Sequence, residues 1–348
     1  MSRTCIWLGP ELIPAPAFQE YSVQPKSLNT CCWKTSHKPK RRRVNLQSQQ
    51  PDVVFKANAK TFALAARFLP RARYEAVARL YLFCRYLDDL ADANPAGCNH
   101  AKLLELRADF VSGTSSDPIM ADALLLQAEF GIPVSIMLDF IDTLIADQRP
   151  RHLQSQDELI RFCYGVASTV GLMMCHLFGV KNPKAYPFAV DLGVAMQLTN
   201  ICRDILEDAE RGRIYLPAQM LPEEINAQAL ANGDLDQRNH AYTVAVHLLG
   251  IANEYYASAC QGYGYLPTTV RQAVKVAARL YRQIGEKIVA EPAEYWQRRT
   301  VVAGRTKIRL IAQLLMQRIT EGSSTLLLQR ASHRPQLHKA LDTQRFGA

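Results

Sequence analysis

Residues 197–208 read QLTNICRDILED, and they combine an apolar helical pattern with a stripe of polar side chains. Positions three and four residues apart share one face of an α-helix, so a helix aligns these polar side chains. The stripe consists of Gln197, Asn200 or Ile201, Asp204 and Asp208. The other residues of the segment are mostly apolar, which indicates a helix inside a protein core.

A second aspartate pair lies in residues 81–92, which read YLFCRYLDDLAD. Asp88 and Asp92 stand four residues apart and share one face of the expected helix. Arg85 and Tyr81 lie on that face about one and two turns earlier. Like charges side by side on a helix are unfavourable unless a cation lies between them. Oxygen-only ligands with phosphate nearby suit Mg²⁺.

A single aspartate pair is common on solvated helix faces, whereas two pairs with aromatic, amide or guanidinium neighbours are a stronger signal. Two such helices facing each other across a cavity would hold a cluster of Mg²⁺ ions, and that cluster would bind diphosphate. The rest of the cavity would be apolar, to shield a carbocation from water. The residues thus indicate Mg²⁺-dependent ionisation of an allylic diphosphate.

The chain of 348 residues changes character near Phe55. From there, apolar residues recur at three- and four-residue steps, broken at proline and glycine, which predicts an all-α protein. We expect a catalytic helical domain over 51–322, a disordered basic tail or leader over 1–50 and a C-terminal tail over 323–348. The segment 163–180 lacks Asp, Glu, Lys and Arg. We interpret it as a walled-in central helix rather than a membrane span.

The net charge of +9 comes mostly from the first 50 residues, which carry eight basic and two acidic side chains. The run from Lys38 to Arg43 is typical of a solvated tail, and it alone supports the alternative of a nucleic-acid-binding protein. We therefore expect no nucleic-acid partner. Six single cysteines follow residue 50 without a CxxC pair, which indicates free thiols in a reducing compartment.

The two aspartate segments resemble those of the phytoene/squalene synthases, which join two prenyl diphosphates head to head. Residues 81–92 are similar to the first aspartate motif of the family, and residues 197–217, QLTNICRDILEDAERGRIYLP, are similar to the second in the phytoene-synthase branch. Residues 59–62 with 69–70, and residues 162–171, resemble two further segments. The likeness runs from about residue 55 to 316, and it implies an isoprenoid-synthase fold, a single helical domain around a central cavity.

The resemblance also implies roles for individual residues. The metal ligands would be Asp88, Asp92, Asn200, Asp204 and Asp208. Diphosphate oxygens would be bound by Lys60, Arg85 and Arg298. The cavity or the phosphates would be contacted by Tyr81, Phe162, Gln197, Tyr215 and Tyr281. Asp89 is expected elsewhere, since one step along a helix turns a side chain roughly 100°.

Two residues of the central helix depart from the family pattern. Phe162 stands where the family usually has a tyrosine, so a hydroxyl proposed for proton transfer or cation steering is missing. Tyr164 is two residues further on and is expected on another face. Ser168 replaces a common glycine. These changes concern substrate length and the fate of the intermediate more than the metal chemistry.

The activity implied by the resemblance is condensation of two geranylgeranyl diphosphates to phytoene through a cyclopropyl diphosphate. It would use Mg²⁺, with Mn²⁺ as an alternative ion, and no NADPH. One alternative is a C30 enzyme that makes squalene, dehydrosqualene or the cyclopropyl intermediate from farnesyl diphosphate. Another is a non-catalytic assembly factor, which would be expected to lose aspartates that this chain keeps.

The expected location follows from the substrates, which are amphiphiles, and from the product, which is an oil. We expect a cytoplasmic enzyme in peripheral contact with a membrane. A plastid location stays open if residues 1–50 are a transit peptide.

Overall fold

The computed structural model describes residues 50–92, 98–148, 153–222, 225–320, 332–343 and 346, without the side chains of 60–61 and 317–320. The regular structure of these residues is helical, and they contain no strand, which confirms the all-α prediction. The helices are α1 (Pro51–Asn58), α2 (Lys60–Ala66), α3 (Arg71–Ala91), α4 (His100–Ser112), α5 (Pro118–Phe130), α6 (Val134–Asp147), α7 (Gln156–Cys163), α8 (Thr169–Leu177), α9 (Tyr186–Ala209), α10 (Ala227–Asn232), α11 (Leu235–Gln261), α12 (Thr268–Ala290), α13 (Pro292–Tyr295) and α14 (Gly304–Thr320).

Capping side chains start several of these helices. The Asp117 carboxylate accepts hydrogen bonds from the backbone N–H groups of Ile119 and Met120, and Pro118 occupies the first turn of α5. The same buried carboxylate accepts a hydrogen bond from the Tyr86 hydroxyl at 2.6 Å. The cap of α5 therefore also ties this helix to α3, the helix of the first aspartate pair.

The central helix runs from α7 to α8 through a π-helical turn at Tyr164–Ser168. The length and composition of Gln156–Leu177 would allow this helix to cross a membrane. However, 61% of its apolar stretch is buried inside the protein. A helix surrounded by other helices needs the same lack of charge. This burial supports the interpretation as a core helix.

Helix α9 lies in the middle of the packing and contacts α7, α8, α10, α11, α12 and the π-helical turn. Helix α3 packs against α1, α4, α5, α6 and α8. The two helices that carry the aspartate pairs thus share α8 as a neighbour and are otherwise held by different helices. All of these helices belong to one compact unit, which extends over residues 45–348.

Part of the expected C-terminal tail belongs to this unit. The Tyr255 hydroxyl of α11 donates a hydrogen bond to the Leu337 carbonyl at 2.6 Å, and the buried Phe346 ring contacts Tyr164 with ring centroids 5.5 Å apart. The described residues 332–343 and 346 are therefore part of the core packing rather than a tail. The basic segment 1–49 lies outside the described residues.

Glycine permits the close approach of α9 to the central helix. A Cβ atom at Gly193 would lie 2.5 Å from the Cα of Ser168, whereas a Cβ at Gly250 in α11 would meet nothing within 4 Å. The Ser168 hydroxyl donates a hydrogen bond to the Val190 carbonyl at 2.8 Å across the same contact. Because the two nearest obstructing atoms at Gly193 are backbone atoms of Ser168, a side chain there requires the two helices to separate.

We predict that Gly193→Ala lowers the free energy of unfolding by about 1–3 kcal/mol through overpacking. Gly250→Ala is the matched control, and it should raise the free energy of unfolding by up to about 1 kcal/mol through helix propensity. Urea unfolding followed by circular dichroism measures both changes. Equal stability of Gly193→Ala and the unmodified protein would contradict the close contact.

Candidate active site

A cavity of about 610 Å³ lies between α3, the central helix, α9 and α12. Aromatic and aliphatic side chains make up most of its wall, including Phe62, Phe188 and Met196. The polar residues come mainly from α3, from α9 and from the turn after α9. The cavity thus combines a charged region with a large apolar wall.

Helix α9 contributes the whole predicted stripe to this wall. Gln197, Asn200, Asp204 and Asp208 all line the cavity. The Asn200 side-chain amide donates a hydrogen bond to Oε1 of the Gln197 side chain at 3.3 Å. The Asn200 Oδ1 atom is buried and has no hydrogen-bond partner among the described residues. A buried carbonyl oxygen left without a donor is suited to a cation.

Helix α3 contributes the other predicted group. Tyr81, Arg85, Asp88 and Asp92 line the cavity. The Arg85 guanidinium reaches Asp88 at 3.6 Å and also binds Asp89. Asp89 does not line the cavity, as its helical position predicts. Burial raises the pKa of Tyr81 to about 12, so its hydroxyl stays protonated and can donate a hydrogen bond.

The aspartates of the two helices influence each other. Burial, followed by the negative charge of Asp92, raises the pKa of Asp88 to about 7. Burial and the charges of Asp204 and Asp92 raise the pKa of Asp208 to about 7 as well. The charge of Asp92 in the first motif thus acts on Asp208 in the second, so the two motifs lie close together across the cavity. Crowded carboxylates of this kind suit divalent cations, because the cations remove their mutual repulsion.

Three of the four aspartates, Asp88, Asp92 and Asp204, form ion pairs with arginines in this structure. The Asp92 carboxylate accepts hydrogen bonds from Arg213 at 2.5 Å and from Arg211 at 3.4 Å. The turn after α9 thereby connects to the end of α3. Among the described residues, no arginine or lysine forms an ion pair with Asp208.

Asp204 is held by two guanidinium groups. Arg203 binds its two carboxylate oxygens at 2.7 and 2.5 Å, and Arg299 binds the same oxygens at 2.8 Å each. Burial alone would raise the pKa of Asp204, but these hydrogen bonds outweigh it and hold the pKa below its ordinary value. Asp204 is therefore ionised.

Arg298 and Lys60 do not join the described site. Arg298 is exposed, forms an ion pair with Glu294 and does not line the cavity, so the structure does not bring it to the site where diphosphate binding was predicted. Its neighbour Arg299 reaches Asp204 instead, because the loop before α14 directs the second arginine of the pair inward. The side chain of Lys60 lies outside the described residues.

Aromatic side chains separate the charged region from the apolar wall. Phe162 stacks on Tyr215 with ring centroids 5.1 Å apart and an interplanar angle of 13°. The Tyr215 hydroxyl donates a hydrogen bond to Asp147 at 2.7 Å. Tyr281 lies 4.8 Å from Phe62, centroid to centroid. All five of these side chains line the cavity.

The departures from the family pattern have different surroundings. Phe162 is part of the cavity wall, whereas Tyr164 points to Asp139 and Phe346 and does not line the cavity. Ser168 does not line it either, and its hydroxyl is used in the contact with α9. The missing hydroxyl at position 162 is thus not supplied by Tyr164.

The sequence analysis did not single out Arg203, Arg211, Arg213 or Asp147, all of which line the cavity. The basic turn at 211–213 follows the second aspartate motif directly, so its closeness in sequence could have predicted that Arg211 and Arg213 line the cavity. Arg299 is 95 residues from Asp204, and no spacing rule links the two residues.

The fold and the family follow from comparison with known proteins. A crystal structure of a dehydrosqualene synthase has the same fold, with a TM-score of 0.65 and 24% identity over 78% of this chain and 95% of that one. The family model for squalene/phytoene synthases matches residues 55–307. The chain therefore belongs to the squalene/phytoene synthase family, and it is an enzyme of the prenyltransferase type.

Named relatives support this assignment. A 15-cis-phytoene synthase of Paracoccus sp. is 33% identical over 73% of this chain and 86% of its own length. A 15-cis-phytoene synthase of Enterobacter agglomerans is 32% identical over 75% of this chain and 92% of its own length. A maize protein named phytoene synthase 3, chloroplastic, is 32% identical, and the match spans 65% of its length.

We predict that Arg299→Gln lowers kcat/KM for prenyl diphosphates roughly tenfold or more, because Asp204 loses one of its two partners, a change of about 1.4 kcal/mol. Arg298→Gln is the matched control, since Arg298 is exposed and faces Glu294. Its kcat/KM should stay within about twofold of the unmodified enzyme. Steady-state release of inorganic diphosphate measures both. Loss of activity in Arg298→Gln alone would restore the sequence-based assignment.

Proposed function

We propose that this enzyme joins two geranylgeranyl diphosphates and releases phytoene. The observation that carries the proposal is the meeting of two aspartate pairs, from α3 and α9, at the charged region of one apolar cavity. The names of the curated relatives support phytoene as the product. The structural likeness to a dehydrosqualene synthase supports the fold alone.

The metal proposal rests on the same residues. Asp88, Asp92, Asn200, Asp204 and Asp208 would hold Mg²⁺, which when bound would neutralise the diphosphate leaving group. The buried Asn200 Oδ1 and the raised pKa of both Asp88 and Asp208 support this ligand set. Arg85, Arg211 and Arg213 border the same region and would bind further diphosphate oxygens.

The apolar wall would receive the prenyl chains. The first substrate would lose diphosphate, and its C1 cation would be attacked by a double bond of the second substrate. Loss of a proton would close a cyclopropyl diphosphate, and a second ionisation, a ring rearrangement and another proton loss would give phytoene. Aromatic rings such as Phe162, Tyr215 and Tyr281 would exclude water and stabilise the cations.

The tyrosines of the cavity are not suited to accept the proton that the reaction would release. Burial raises the pKa of Tyr81, Tyr215 and Tyr281, so these hydroxyls remain protonated and are poor bases. Phe162 offers no hydroxyl, and Tyr164 lies outside the cavity wall. Because the tyrosines are poor bases, we propose the released diphosphate as the base that this chain would use.

The purified enzyme with Mg²⁺ tests the substrate and the product directly. Geranylgeranyl diphosphate should give phytoene, identified by mass, in equal amounts with and without NADPH. A C30 hydrocarbon formed from farnesyl diphosphate in preference would overturn the proposal in favour of a C30 synthase. Failure to turn over either substrate would overturn the proposed substrate and product.

We predict that Asp208→Asn lowers kcat by a factor of 100 or more, on the order of 3 kcal/mol, because one ligand is lost from a cluster that acts as a unit. Asp89→Asn is the matched control from the first motif, since Asp89 lies outside the cavity wall. It should lose far less activity. Full activity of the unmodified enzyme in EDTA would contradict the metal proposal.

We also propose that the enzyme works at the surface of an anionic membrane. The exposed side of α14 and the residues before it combine apolar Val301 and Ile308 with basic Arg305 and Arg309. The buried Leu310 packs against Ala65 and Ala277, which line the cavity. A membrane bound here would lie close to the cavity wall and attract the basic side chains.

The compartment is a further proposal. The body of the chain is consistent with a cytoplasmic enzyme in peripheral contact with a membrane, and its described cysteines are free thiols. A plastid location remains the alternative, because the maize relative is named chloroplastic. Fluorescence microscopy of the full chain and of a chain lacking residues 1–50 would separate the two locations.

We predict that Ile308→Asp weakens binding to vesicles of anionic lipid roughly tenfold, because the side chain no longer enters the interface. Leu235→Asp is the matched control, since Leu235 is also exposed, at the start of α11. Vesicle flotation should show reduced binding only for Ile308→Asp, and high salt should release the unmodified enzyme. Release by detergent alone would instead support Gln156–Leu177 as a membrane span.

A further inference from the structure

A second cluster of ligand-type side chains lies outside the proposed diphosphate site. Asp191 of α9 is fully buried, and its carboxylate lies 2.9 Å from His333 Nε2 and 2.7 Å from His338 Nε2. The two imidazole rings are 4.2 Å apart, centroid to centroid. One ligand atom from each residue lies within 4.8 Å of the other two. Asp191 does not line the cavity.

The surroundings of this cluster are mostly apolar and hold the histidines in place. The Phe188 ring meets His333 edge-on at 5.3 Å, and Phe346 meets His338 edge-on at 5.0 Å. Only 2% of the His338 side chain and 12% of the His333 side chain are exposed. Both histidines are therefore removed from bulk water.

The partners of the buried Asp191 carboxylate are imidazoles. A carboxylate that accepts hydrogen bonds from two imidazoles is stabilised in its ionised form. Among the described residues, no lysine or arginine forms an ion pair with Asp191. The ionised Asp191 carboxylate places a negative charge in the core, which is costly unless hydrogen bonds or a cation offset it.

We propose that Asp191, His333 and His338 form a binding site for one divalent transition-metal ion of the zinc class. Two imidazole nitrogens and one carboxylate oxygen are a common ligand set for zinc, and imidazole disfavours Mg²⁺. Tetrahedral ligand atoms at zinc stand about 3.3 Å apart. The two carboxylate–imidazole distances, now 2.9 and 2.7 Å, would therefore lengthen by about half an ångström when the ion binds. Three protein ligands leave one position for a further oxygen ligand.

The ion would fasten the C-terminal segment to the cavity wall. His333 and His338 lie in the segment 332–343, while Asp191 lies on α9 three residues after Phe188, a cavity residue. The Tyr255–Leu337 hydrogen bond holds the same segment from α11. Metal binding at this site would therefore stabilise the folded chain.

Zinc uptake by the full-length enzyme tests the proposal. The protein is treated with chelator, dialysed into excess Mg²⁺ to occupy the cavity aspartates, and then titrated with Zn²⁺. Elemental analysis after gel filtration should find one zinc per chain, and the melting temperature should rise. Co²⁺ in place of Zn²⁺ should give visible absorption bands of a site with nitrogen ligands. Absence of tight Zn²⁺ uptake would show the cluster to be a hydrogen-bonded contact only.

Variants distinguish this site from other side chains that could bind zinc. Asp191→Asn and His338→Gln should lose the bound zinc, the Co²⁺ bands and the metal-dependent rise in melting temperature. His247→Gln removes an exposed histidine of α11 and should retain them, as should Asp208→Asn in the cavity. Zinc retained by both Asp191→Asn and His338→Gln, or lost from Asp208→Asn, would overturn the proposal. If a variant fails to fold, zinc stoichiometry and Co²⁺ spectra of the unmodified enzyme still decide whether nitrogen ligands bind the ion.

Discussion

Four carboxylates at one region of an otherwise apolar cavity are the constraint on which the rest of the structure depends. Burial and mutual repulsion raise the pKa of both Asp88 and Asp208 to about 7, so this arrangement is costly before any ligand binds. The cost has to be offset by packing elsewhere. Helices α3 and α9 are accordingly among the most enclosed elements, and each contacts at least five other helices.

The packing that holds α9 is close enough to exclude a single methyl group. Gly193 lies against the backbone of the π-helical turn, and the Ser168 hydroxyl binds the Val190 carbonyl across the same contact. These contacts position the N-terminal half of α9, while the aspartates lie in its C-terminal half. Because the first half of α9 is held rigidly, the second half can present its charged side chains to the cavity without being pushed out of position by their repulsion.

The sequence predicted those features that depend on short-range periodicity. The stripe from Gln197 to Asp208 and the pair Asp88 and Asp92 repeat at helical spacing, and each of their predicted residues lines the cavity. Loop geometry was not predictable in this way, since nothing in the sequence distinguishes Arg298 from Arg299. The packing of His333 and His338 on Asp191 joins residues 142 and 147 positions apart, and periodicity carries no information over that distance.

The arginines around Asp92 and Asp204 would connect the proposed metal binding to substrate binding. Asp204 has both oxygens occupied by Arg203 and Arg299, so it can ligate a cation only if at least one guanidinium finds another anion. Diphosphate is an anion of suitable geometry, because guanidinium binds phosphate and carboxylate oxygens in the same bidentate way. The same exchange applies to Arg213 and Asp92. On this reasoning Asp92 and Asp204 would become available as metal ligands when the diphosphate arrives, because the guanidinium groups would then transfer from the carboxylates to the phosphate oxygens.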